Sequence, residues 1–161
     1  MTRTSFLLAT CCSLVVFAGC PAPRQKAKPI VWQPPSRTAT LHEFFPSEVS
    51  GYERIEASET DGIERWDLVA SSWQARYVSG HGEIEVVIVR DFGTDQQRKL
   101  YESLKGKVIG NKVLIATSTE WHLEDKTSGS SSRFFVSGDA IAGFSSTTHD
   151  PRAFAEALLT R

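Results

Sequence analysis

Glu120, His122 and Glu124 alternate along one polar run of the chain. On a strand, alternate side chains share a face, so an imidazole and two carboxylates would stand together, a donor set that lets zinc keep an open position. Any solvated strand face gives the same alternation, and Asp125 and Lys126 prolong the polar run. We therefore expect a solvated face there and no metal. The four histidines, at 42, 81, 122 and 149, show no HxxxH or HxH spacing. For nucleophilic chemistry the chain offers Ser130 to Ser132, Ser145-Ser146 and the pair His149-Asp150, but no serine sits in a Gly-x-Ser-x-Gly elbow. Asp91-Phe92-Gly93 spells a kinase metal-binding tripeptide without a glycine-rich loop or catalytic loop to accompany it, so it reads as a strand end entering a helix cap. The run GKVIGNK lacks the spacing of a phosphate loop.

Arg98, Lys99, Lys105, Lys107 and Lys112 form a basic cluster around a single Glu102. Cations near a helix C-terminus are favoured by the helix dipole, which explains them structurally; the functional reading is contact with anionic lipid headgroups or a cell-wall polymer. From Thr38 onward 13 Lys and Arg stand against 19 Asp and Glu, a net charge of −6. Nucleic acid needs a basic face, so it is not an expected partner, and no motif implies a cofactor.

The elements that must position these residues read as an α+β fold: mainly antiparallel sheet, with a short N-terminal helix, a middle helix and a C-terminal helix. Thr40-Leu41-His42-Glu43 fits a capping box, and Pro46 stops that helix early. Residues 73–89 alternate into and out of Ser-Gly-His-Gly, the pattern of a hairpin. Centring the turn on Gly80-His81 sets Trp73 against Ile88, Ala75 against Val86 and Tyr77 against Ile84 on one face, with Arg76 opposite Glu85 on the other. A slip by one residue would send the charges inward. Thr94 to Gln97 resembles a second capping box, and Gly106 suits the left-handed position past a helix end. NKVLIATSTEWHL and RFFVS are expected to pair as strands, and RFFVSGDAIAGF to turn on Gly138-Asp139. Asp150-Pro151 is expected to open the last helix, with Phe154, Ala157 and Leu158 inward.

The N-terminus has a different character. Arg3 precedes an apolar stretch from Phe6 to Phe17, too short for a spanning helix of about 20 residues and suited to a secretory signal. Ala18-Gly19-Cys20 then resembles the lipobox of bacterial lipoproteins, with Phe17 where that family usually has leucine. The resemblance covers residues 1 to 20. It implies cleavage before Cys20, a diacylglyceryl group on its thiol and an acylated amino terminus, with palmitate among the expected chains. Cys11 and Cys12 would leave with the signal. We thus expect residues 1–19 to be a cleaved signal, 20–37 a lipidated cysteine and a proline-rich basic tether, and 38–161 one domain stable without disulfides.

Pro21 in place of aspartate resembles lipoproteins sent on to an outer membrane, on its periplasmic side. The expected function is a non-catalytic binding or assembly module meeting an envelope protein or glycan. The alternative is a small periplasmic enzyme, hydrolytic or metal-dependent, using His122 or His149.

Overall fold

A computed structural model describes residues 28–63, 66 and 70–161. Cys20 and the whole signal lie outside them. Eight strands form one antiparallel sheet: β1 (Glu48–Val49), β2 (Tyr52–Thr60), β3 (Ser72–Ser79), β4 (Gly82–Val89), β5 (Lys112–Ala116), β6 (Glu120–Asp125), β7 (Ser131–Ser137) and β8 (Ala140–Ser146). Among the described residues three helices accompany it, α1 (Leu41–Phe44), α2 (Thr94–Gly106) and α3 (Arg152–Leu159). The strand order is β1-β2-β3-β4-β8-β7-β6-β5. Two meanders, β1 to β4 and β5 to β8, therefore join through their last strands, and β4 pairs with β8 through Val87↔Gly143.

The joining strands are buried on both faces. Ile84, Val86 and Ile88 face one core, which also holds Tyr77, Phe135 and Phe144 under α3. Val87 and Val89 face a second core with Phe134, Ile141 and Trp121 under α2. Phe154 of α3 meets Tyr77, Tyr52 and Phe144 at ring distances of 4.9, 5.3 and 6.2 Å, edge-on contacts that each add about 0.5–1.5 kcal/mol to area burial. In the second core, a Cβ on Gly143 would lie 1.9 Å from the Trp66 ring, so only glycine lets that indole rest on the sheet.

The 73–89 hairpin has the expected register, including Tyr77↔Ile84 and Arg76↔Glu85. Arg76 reaches past its direct neighbour: Nε donates to Glu83 at 2.8 Å and Nη1 to Glu56 at 3.3 Å. The Thr40 capping box forms in both directions. Gly138 opens the β7–β8 turn with φ 59°, as a glycine-first turn requires.

Four expectations need correction. The stretch NKVLIATSTEWHL is two strands, because Thr117 Oγ1 and the Thr117 amide bond to Glu120 and close a turn between β5 and β6. α2 is capped at Gly93, whose amide donates to Gln96 Oε1 at 3.1 Å. Gly106 is that helix's last residue, and Gly110 takes the positive φ of 68°. The domain does not begin at Thr38: Ile30 and Trp32 are 7% and 4% exposed within the α3-side core, and Trp32 O accepts a bond from Ser137 Oγ at 2.9 Å. Two large apolar side chains in a polar, proline-rich run found a pocket to fill, at about 1.5–3 kcal/mol each. β2, absent from the sequence expectations, adds a strand beyond β3 with exposed Glu53, Glu56 and Glu59 and a register shift between Arg54 and Glu56.

Candidate functional site

Arg133 occupies the inward parity of β7, on the face of Ser131 and Phe135. An interior arginine needs anions, and two arrive. Its Nε and Nη2 donate to the two carboxylate oxygens of Asp150 at 2.5 Å each, and Nη1 donates to Glu120 Oε1 at 2.5 Å. Arg152 Nη1 donates to both Glu120 oxygens at 2.5 Å, and its Nη2 to the Lys28 carbonyl at 2.5 Å. The Arg133, Arg152 and Glu120 side chains are only 13%, 17% and 18% exposed. Asp150 also accepts the Arg152 amide at 3.0 Å, so one carboxylate both caps α3 and holds the sheet. The helix starts at Arg152, one residue later than the sequence suggests, so Pro151 rather than Asp150 takes the N-cap position, and the Asp150 carboxylate receives the Arg152 amide from one residue before it.

Fork-to-fork pairing of this kind is short and directional. Burial works to raise the Asp150 pKa, but the Arg133 hydrogen bonds and charge outweigh it and hold the carboxyl below its usual range. Burial opposes the charge of Arg133 too, and Asp150 and Glu120 reverse that, raising it.

His122 stands opposite Arg133 on β6, with Nε2 2.9 Å from Ser131 Oγ. Burial, reinforced by the Arg133 charge, lowers its pKa and favours the neutral ring. Ser131 in turn stands opposite Ser146 on β8. Ser146 Oγ lies 3.2 Å from His149 Nδ1, and His149 Nε2 lies 2.9 Å from the Tyr52 hydroxyl. Both histidines named from the sequence thus come to one corner with Glu120 and one serine of each cluster, Ser131 and Ser146. They meet as packed pairs: Ser131 is 4% and Ser146 5% exposed. Each hydroxyl lies within hydrogen-bonding distance of a histidine nitrogen. Glu120, His122 and Glu124 do share a strand, yet Glu120 is filled by two guanidinium groups, and among the described residues no three His, Cys, Asp or Glu side chains are placed to hold a metal ion.

The basic cluster divides. Arg98 pairs with Asp95 at 3.3 Å, and Lys105 pairs with Glu102 at 3.1 Å beside the Tyr101 ring. Lys107 instead lines a 220 Å³ cleft floored by Trp66, Leu104 and Phe134 and rimmed by Ser132 and Ser145, whose hydroxyls lie 2.8 Å apart. Arg133, Arg152 and Tyr52 were not among the sequence candidates. The available signal was parity: an arginine two residues before Phe135 in an apolar strand has to bring its counter-ions inside.

No protein-family model matches the chain, and no curated protein matches it. Among solved structures it is similar to a GTP binding regulator from Thermotoga maritima, with a TM-score of 0.54 and 12% identity over 79% of this chain and 90% of that one. That likeness is one of fold alone.

Proposed function

We propose that the chain is a lipid-anchored envelope protein, tethered through Cys20, whose α+β domain is a non-catalytic binding or assembly module. The observation that carries the non-catalytic reading is the self-saturation of the charged groups at the polar corner: Arg133 and Arg152 fill Glu120, and Arg133 fills Asp150. Catalysis needs groups left open to a substrate, and these are spent on one another. The anchor rests on the Ala18-Gly19-Cys20 junction. Because the fold takes hold of the chain at Lys28, residues 20–27 are the span from lipid to domain, at most about 28 Å at 3.3–3.6 Å per residue.

Cys20→Ser is expected to abolish incorporation of labelled palmitate and to leave the precursor uncleaved. A variant that is processed and membrane-bound like the parent would overturn the anchor. The 2.9 Å approach of His122 to Ser131 favours one second reading, a small hydrolase. A fluorophosphonate probe is expected to leave Ser131 unlabelled. Labelling that disappears in His122→Ala would establish the hydrolase in place of the module.

A further inference from the structure

The sheet ends at β5, and among the described residues no strand pairs with its outer side. The bonds Thr117 N–H to Glu120 and Lys126 N–H to Asn111 set the parity of the β5–β6 ladder, with odd-numbered β5 residues turned toward β6. In an antiparallel ladder hydrogen-bonded and non-bonded pairs alternate, so the peptide groups of Leu114 and Ala116 point away from β6. Such an edge is a template for another strand. Of the five exposed large hydrophobic residues among the described residues, three lie on this strand or its approach: Val108, Ile109 and Ile115, at 40%, 75% and 57%. A groove of about 450 Å³ runs between α2 and the β5–β6 turn, lined by Gln97, Arg98, Tyr101, Ala116, Thr117 and Trp121. The Tyr101 and Trp121 rings, 5.5 Å apart, form its apolar wall.

We propose that the β5 edge and this groove receive an extended segment of another protein, in which acidic side chains accompany a short apolar run. The proposal rests on the reading of the domain as a binding module and is independent of the Cys20 anchor. A strand added to β5 gains main-chain hydrogen bonds from Leu114 and Ala116, and its alternate side chains enter the groove on the α2 side, the geometry by which sheet edges take up peptides. Charge selects the acidic occupant. The domain is acidic overall, so a carboxylate is repelled over most of its surface, whereas here Arg98 lines the groove, Lys105 stands 5.8 Å over Tyr101 and Lys112 lies on β5 itself. The existing Arg98–Asp95 and Lys105–Glu102 pairs are exposed, and exposed pairs contribute little, so a partner carboxylate can join them. An anionic membrane would answer the charges and leave the strand edge unused. A second copy of β5 has no acidic residue to answer these cations.

The test is selection of a random twelve-residue peptide library, displayed on phage, against the full chain in detergent micelles. Enriched peptides should combine apolar residues at alternate positions with Asp or Glu. Ala116→Pro removes an outward amide that the native sheet does not use, and should weaken binding of the selected peptides about tenfold, as one lost hydrogen bond does. Arg98→Glu with Lys105→Glu, at exposed positions that cannot disturb the core, should weaken it by at least as much and flatten its salt dependence. No enrichment, peptides indifferent to both variants, or a concentration-dependent dimer lost in Ala116→Pro would each overturn the proposal. A catalytic domain would reveal itself by probe labelling of Ser131 whatever the selection returned, so the two failures are read separately.

Discussion

Arg76 and Arg133 are strand arginines, each held between two carboxylates, at opposite arms of one sheet. Arg76 bonds Glu83 and Glu56 with its side chain 45% exposed; Arg133 bonds Asp150 and Glu120 with its side chain 13% exposed. The same chemistry has different consequences because water competes in one place and is largely kept out of the other. On the outer hairpin the ion pairs decorate a register already fixed by Trp73, Ala75 and Tyr77. At the corner they join elements distant in sequence: Glu120 of β6, Arg133 of β7, the α3 cap and, through Arg152, the backbone of Lys28. Removing one partner there strands the others, which is the costly way to break a buried pair.

The yardstick is Trp73→Ala, expected to cost about 3–5 kcal/mol as loss of a core aromatic does, measured by urea unfolding. Arg133→Ala should follow at about 3 kcal/mol, because Glu120, 18% exposed, loses a cation in a poorly solvated place, and Asp150, 45% exposed, loses its bidentate partner. A loss no greater than that of Arg76→Ala would erase the contrast between the two arms.

A smaller effect comes from His122. Its native pKa is lowered, chiefly by burial, so the unfolded chain takes up the proton first, near the ordinary value of about 6.5. Stability is then complete above that pH and declines as pH falls through the window down to the native value. Asp150, also lowered, stays ionised across this range and loses its contribution only as pH falls below the usual carboxylate region, through its native value. Comparing unfolding midpoints at pH 7.5 and 5.5, His122→Gln should show a flatter dependence than the parent. An unchanged slope would mean that the corner is more open to water than its geometry implies.

The smallest expected change is Arg76→Ala, which should leave the unfolding midpoint within error, since its partners remain solvated. A clear loss would move the outer face of the hairpin into the class of the corner.

Much of the fold is legible in the sequence wherever its cause is local. The register of β3 and β4 follows from one turn placement satisfying two faces at once; the Thr40 box and the Asp150 bond to the Arg152 amide follow from side chains acting on backbone two or three residues away, and the Gly138 turn from a residue without a Cβ at positive φ. The break between β5 and β6 was obscured because its turn is built from threonines and serine, without glycine or proline to mark it. Among the site residues, the alternation of Glu120, His122 and Glu124 places them on one strand but says nothing of what faces them.

Periodicity in this sequence determines which side chains point inward, since that depends only on strand geometry and on apolar surface avoiding water. It could not determine that β8 would pair with β4, that Ser131 would stand against Ser146, or that Ile30 and Trp32 would be drawn into the core. Those depend on which distant surfaces complement one another once collapsed. The same holds for Arg133: its inward position is written in the alternation of β7, but the carboxylates that neutralise it come from β6 and from the approach to α3, and only the closed tertiary structure brings three separate segments within hydrogen-bonding distance.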